Sequence, residues 1–229
     1  MLLDGANRED MQQSVYEALK KGISSARYAP GAHLREIHIA EELGVSRTPV
    51  REAIRRLGGE GWVELLPNRG ARVTQWSMRD IEEIFEARAL IEPWLAGQAA
   101  LRATPAQIDE LEALALKMQD MFHAEGAAAI VDRWFEANKA FHDQIAAAAG
   151  NRRLEQSLAA IKDVPLIRWT FATFGDGDHM RSIREHLELV QALRTGERAW
   201  AEAIMRCHIL AARTSVVRRA EHPEPETET

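Results

Sequence analysis

Apolar positions recur along most of the chain at helical spacing, and the breaks in that period divide it into elements. From 7 to 27, Met11, Val15, Leu19 and Ile23 fall four apart and predict one amphipathic helix, closed by the turn Ala29-Pro30-Gly31-Ala32. Ile37, Ile39, Ala40 and Leu43 make a shorter stripe that stops at Gly44, a residue suited to the left-handed turn that ends helices. A second helix begins almost at once. Ser46 is placed to cap it, and Pro49 falls in its first turn, where a missing N–H breaks no intrahelical bond. Val50, Ile54 and Leu57 then form an inward stripe, while Arg47, Arg51 and Arg55 share a neighbouring face. Beyond this the period changes: 62–66 and 71–75 read as two short strands of a wing, joined by the turn Pro67-Asn68-Arg69-Gly70.

From 78 to about 220 the text becomes alanine- and leucine-rich and reads as six helices, 78–102, 105–124, 127–149, 152–174, 178–194 and 197–219. Thr104-Pro105, Gly126, Gly150-Asn151, Gly175-Asp176-Gly177 and Thr195-Gly196 separate them, and Pro93 and Pro165 are expected to kink the helices that contain them. Short connections between long helices imply an antiparallel bundle, with a core from Ile84, Ile91, Leu111, Leu114, Phe141, Ile145, Leu187 and Ile204. The expected fold is therefore mainly α: a winged helix-turn-helix with a two-stranded wing over 1–76, an all-α bundle over 77–220, and a disordered acidic tail, EHPEPETET, over 221–229.

Composition narrows the class. With 229 residues, 46% of them hydrophobic, the chain can bury two cores. Cys207 is the single cysteine, which excludes an internal disulfide, and no apolar run is long enough to span a bilayer. The first residues, MLLDGANREDMQQ, carry early acids and no signal-peptide core, so a cytoplasmic location is expected. The net charge of −6 is unevenly spread. Residues 1–76 hold 11 Lys+Arg against 10 Asp+Glu, the remainder 18 against 25, and Arg47 to Leu57 alone hold four arginines against one glutamate. The local field, not the total, governs attraction to a polyanion.

Two helices joined by so tight a turn, the second opening on an arginine row, match the shape and charge of a DNA major groove. Arg69 in the wing turn can approach a phosphate backbone or a minor groove. Arg35, just before the shorter helix, is placed for a phosphate contact and equally for a plain solvent-exposed role; Arg56 faces another way. The segments LGVSRTPVREAIRRL and GWVELLPNRGARV resemble the winged helix-turn-helix of the GntR family of bacterial transcription regulators. That resemblance implies double-stranded operator DNA as partner, with Arg35, Ser46, Arg47, Thr48, Arg51, Asn68, Arg69 and Gly70 at the contact. One small winged domain reads few base pairs, so a homodimer on a palindromic site is expected.

In the bundle, Asn138 and His142 are four apart and share a helix face, the spacing by which one helix offers two ligands to one ion. His186 and His208 lie in inward stripes of the last two helices. Each histidine alone reads as a core residue; three on neighbouring helices, with an oxygen donor, suit a borderline divalent ion such as Zn²⁺ or Ni²⁺. The segments EARALIEPWLAGQAA, NKAFHDQIAAAAGN and EHLELVQALRTGERAWAEAIMRCHI resemble the FCD effector domain found behind the winged domain in a large GntR subfamily. The resemblance implies a metal (Zn, Ni or Mn) on Asn138, His142, His186 and His208, and a small carboxylate effector facing Arg88. Asn138 departs from the commoner aspartate, which lowers metal affinity and leaves the ion's charge free to attract an anion. Two other classes remain to be weighed, a metal-dependent enzyme on a helical bundle and an architectural DNA binder without effector. Against the first stands the absence of paired Glu-x-x-His, HExxH, P-loop and GxSxG patterns.

Overall fold

The computed structural model describes residues 3–24, 27–67, 70–75, 77–162 and 174–221. The chain divides into two compact units, Met1–Ser77 and Met78–Thr229.

The first unit holds α1 (Leu3–Ser24), β1 (His33–Leu34), α2 (Glu36–Leu43), α3 (Arg47–Gly59), β2 (Val63–Leu66) and β3 (Gly70–Val73). Gly44 ends α2 at φ 66, where its N–H reaches the Ala40 and Glu41 carbonyls; a side chain there would oppose that left-handed turn. Ser46 occupies the N-cap of α3 in extended geometry, but its hydroxyl makes no capping bond. The helix start rests instead on Pro49 and on packing. Val50 and Leu57, both fully buried, and Ile54 close over Val15 and Leu19 of α1, Ile39 of α2, and Leu34, Trp62, Val63, Ala71 and Val73 of the sheet. Met11, expected on the buried side of α1, is exposed.

The wing is a three-stranded sheet in the order β1-β3-β2, not the expected two strands. His33 and Leu34 pair antiparallel with Arg72 and Ala71, while β2 pairs along the other edge of β3. Two residues carry too little periodicity to read as a strand; the pairing depends on a partner distant in sequence. Gly70 opens β3 at φ 84 against the Leu34 carbonyl, an approach that excludes any Cβ.

The second unit consists of α4 (Met78–Arg102), α5 (Pro105–Glu125), α6 (Ala127–Ala148), α7 (Arg152–Lys162), α8 (Asp176–Thr195) and α9 (Arg198–Glu221). Thr104 caps α5 reciprocally with Gln107, just ahead of Pro105, and Gly196 at φ 71 ends α8. Helix α4 continues through Pro93. Of the expected core, Leu111, Phe141 and Ile145 are fully buried, whereas Ile84, Ile91, Leu114, Leu187 and Ile204 are half-buried. The innermost positions are their neighbours Ile81, Phe85, Leu95, Met118, Leu189, Met205 and Ile209. The expected continuation of the fourth bundle helix to 174, Pro165 within it, and nearly all of the tail lie outside the described residues.

Candidate functional site

The stripe that buries Val50, Ile54 and Leu57 forces the opposite face of α3 outward. Arg47 and Arg51 stand one turn apart there, their side chains 58% and 59% exposed, with Ser46 and Thr48 exposed beside them. Arg47 and Arg51, with Arg35, Arg55 and Gly70, line an open groove of about 990 Å³. Both arginines converge on Glu36 in the first turn of α2. Arg51 donates through Nε to Oε1 at 3.0 Å and through Nη2 to Oε2 at 2.9 Å, and Arg47 donates through Nη2 to Oε2 at 3.0 Å. The Arg51 hydrogen bonds hold the Glu36 carboxyl below its usual range against the opposing effect of burial. Such an exposed cluster adds little stability; its effect is to fix two guanidinium groups side by side. Arg56 does face elsewhere, over the Tyr16 ring at 3.7 Å and bonded to Glu60 and Gln13. Asn68 and Arg69 lie outside the described residues.

In the second unit, α6 carries Asn138 and His142 one turn apart, α8 carries His186, α9 carries His208 and α4 carries Arg88. All five are buried. One ligand atom from each histidine lies within 4.8 Å of the other two. Their tautomers are set by carboxylates, which only accept: His142 Nδ1 donates to Glu92 Oε2 at 2.6 Å, and His208 Nδ1 donates to Glu185 Oε2 at 2.8 Å. With both rings neutral, the two Nε2 atoms carry lone pairs, and they face each other at 3.2 Å. Neither can donate to the other. That arrangement is repulsive without a cation between them, and its span fits one, since two Zn–N bonds of about 2.05 Å at a tetrahedral angle set nitrogens about 3.3 Å apart.

Two further groups beside this pair could complete a donor set. Among the described residues, neither nitrogen of His186 has a hydrogen-bond partner, nor does Asn138 Oδ1, although all are buried. Each orphaned group of this kind costs about 1–3 kcal/mol unless something engages it. Burial pushes His142 down to about 4, against the pull of Glu92, and pushes His186 well below the usual histidine range, aided by the fields of the other two rings. Neutral imidazoles are the form that binds metal. Burial would raise the Glu92 carboxyl, but Arg88 and His142 more than offset it and hold it well below the usual range. Arg88 Nε donates to Glu92 Oε1 at 2.6 Å, and no described residue takes its two Nη groups. Arg88, Asn138, His142, Lys139 and Lys162 line a cavity of about 20 Å³.

Four residues of these sites escape the sequence reading: Glu36, Glu92, Glu185 and Lys162. Glu92 had a signal, lying four residues beyond Arg88 on one helix face. The others meet their partners across 11 to 23 residues of sequence, which no local pattern reports.

The pattern that describes bacterial regulatory proteins of the gntR family matches residues 11–73, and that of the FCD domain matches residues 83–211. The chain belongs to the GntR family, in its FCD-bearing group. A GntR/FCD protein of this kind is a DNA-binding transcription regulator and not an enzyme. An HTH-type regulator from the TAR-I ttuE-ttuC' intergenic region of Agrobacterium vitis is 33% identical over 151 residues, covering 64% of this chain and 85% of its own. The transcriptional repressor RspR of Escherichia coli is 26% identical over 91% of this chain and 90% of its own. Among solved structures, E. coli McbR/YncC superposes with a TM-score of 0.70 over 92% of this chain and 98% of its own; at 21% identity that likeness concerns the fold. Within the GntR frame the two units divide as the family patterns do, and no described helix is long and apolar enough to cross a membrane.

Proposed function

We propose that this regulator senses a small carboxylate, bound beside a divalent metal ion in the helical unit, and alters its affinity for operator DNA accordingly. The observation that carries the reading is the pair of bare Nε2 atoms of His142 and His208, 3.2 Å apart and each held in that tautomer by a carboxylate. His142, His186 and His208 would hold the ion, with Asn138 Oδ1 as a weaker fourth donor; Zn²⁺, Ni²⁺ and Mn²⁺ are the candidates. The ion would supply a fixed positive charge for an anion. Arg88 would take the effector's carboxylate, since a guanidinium offers donors and no lone pair.

On the DNA side, Arg47 and Arg51 would reach base edges, with Arg35, Ser46 and Thr48 positioning α3 and the wing residues Asn68, Arg69 and Gly70 against the backbone. Two copies on a palindromic site, in the cytoplasm, complete the reading. Residues 1–76 would then form the DNA-reading domain and 77–220 the effector-binding and dimerisation domain.

The test is metal content of the full chain after reconstitution with Zn²⁺, Ni²⁺ and Mn²⁺, with operator affinity titrated against small carboxylic acids. The reading expects a bound ion and an affinity that shifts with one class of acid. No retained ion, together with an unchanged acid response in His142→Ala, would make the histidines ordinary core residues.

A further inference from the structure

The cavity beside the histidines has a second cationic wall. Lys162, in the last turn of α7, is 7% exposed and faces the same small space as Arg88, Asn138 and His142. An ammonium so deeply placed needs an anion, because transfer out of water costs several kcal/mol even after the surroundings relax. Among the described residues it donates to Asp143 Oδ1 at 2.8 Å, and Asp143 is itself 42% exposed. That partnership is shared: Asp143 Oδ2 accepts from Lys139 at 2.5 Å. If Lys162 leaves, Asp143 keeps Lys139 and stays half in water. The Lys162–Asp143 pair is thus separable at low cost, whereas Arg88–Glu92, with both partners at or below 5% exposure, is not.

The space itself limits what can enter. A cavity of about 20 Å³ holds roughly one water-sized group. A ligand larger than that must displace something, and the exchangeable contact is Asp143 on Lys162. A second anionic group on the ligand would replace the carboxylate it displaces, charge for charge. A ligand with one carboxylate, anchored by Arg88, would break that contact without replacing the lost charge, and so gain nothing from Lys162.

We infer that the effector carries two anionic groups, one for Arg88 and the metal side and one for Lys162, which makes Lys162 the residue that selects dianions over monoanions. This rests on the effector-binding reading above and names its ligand class. The second group is a carboxylate or a phosphonate-like head, since an ammonium is a point charge with no fork geometry to prefer one.

The experiment is calorimetric titration of the zinc-reconstituted full chain with propionate, succinate and 3-phosphonopropionate, which share a skeleton and differ only in the second group. Succinate, 3-phosphonopropionate or both should bind about 10- to 100-fold tighter than propionate, the scale of one charge-assisted contact. Lys162→Met should bring the dianions down to the level of propionate, with zinc content undiminished as the check on folding, and Lys162→Arg should keep the preference. Equal binding of propionate and both dianions by the wild type overturns the inference, whatever the variants do, and so does a dianion preference that survives in Lys162→Met. Binding of none of the three, even to wild type, counts against the effector reading itself and removes this inference with it; loss of all three in Arg88→Ala alone leaves the inference standing.

Discussion

Arg51 and Glu36 are joined by two hydrogen bonds, 3.0 and 2.9 Å long, across the turn that separates α2 from α3. The guanidinium that lines the groove is therefore held in one direction, and the carboxylate that holds it also subtracts a charge from that face.

Arg51→Ala should cost about 1–3 kcal/mol of operator affinity and relax the preference at one base pair of each half-site, as loss of a bidentate base contact does. On random-sequence DNA the loss should be that of a single cation. Footprinting and competition with mutated operators distinguish the two, and an unaltered base preference would place the reading elsewhere.

Glu36→Gln should act in the opposite sense on two quantities. Removing a negative charge from the groove strengthens binding to any DNA and steepens its salt dependence, while the freed arginines lose their fixed direction. The ratio of operator to random-DNA affinity should fall by a few-fold, on the scale of about 1 kcal/mol that exposed ion pairs show. A ratio that holds constant would show Glu36 to be a bystander.

Metal binding should depend on residues that never touch the ion. Glu92→Gln and Glu185→Gln leave His142 and His208 in place but loosen their tautomers, and each should weaken zinc affinity by roughly 10- to 100-fold. Alanine at any of the three histidines should abolish zinc-dependent stabilisation. Asn138→Asp should tighten the ion by adding a charged ligand and weaken the anion by offsetting that charge. Chelator competition on the four kinds of variant orders them.

Stability of chelator-treated protein should fall with acidity between about pH 6.5 and pH 4. His142 is neutral in the fold down to about 4, while the unfolded chain takes up its proton near 6.5. The unfolded state thus binds more protons in this window, so acid favours it, by roughly 3 kcal/mol once the whole window is crossed. His186, shifted in the same direction, adds to the slope. Zinc should move the decline to lower pH, because protons and the ion compete for the same lone pairs. Thermal melts with and without zinc at stepped pH measure both; a melting temperature flat across the window would mean that the rings are solvated.

Arg88→Ala should do more than remove an anion anchor. It takes from Glu92, which is 2% exposed, the guanidinium that balances its charge and leaves the His142 hydrogen bond, and breaking a buried ion pair in this way costs about 3–5 kcal/mol. Zinc affinity should therefore drop with acid binding in this variant, whereas Arg88→Lys, which keeps a charge beside Glu92, should spare more of the metal site. Chelator titrations of both variants separate the two contributions.

The helices were legible because each repeats a period over several turns and stops at a residue with a physical reason to stop it, as Gly44, Pro105 and Gly196 do. The histidine triad was legible because three polar residues in apolar stripes are anomalous wherever the helices pack. Strand β1 was not, since two residues carry no period and its partner Arg72 lies 39 positions from His33. Nor were Glu36, Glu185 and Lys162, because a charged residue on a helix reads as a solvated face until the fold brings another element over it. What the sequence could not show in the sites was the set of carboxylates and one ammonium that turn isolated candidates into aimed groups.

The division of Glu92 between Arg88 and His142 has a thermodynamic sequel. Its two oxygens accept from Arg88 and His142 at once, so under the proposed function the occupancy of either site would alter the electron-pair strength available at the other. Linkage requires that whatever factor the acid applies to the ion's dissociation constant, the ion applies to the acid's. Under the proposed function the molecule would answer neither nutrient abundance nor metal supply alone but their coincidence, and a cell starved of the ion would behave as though the acid were scarce.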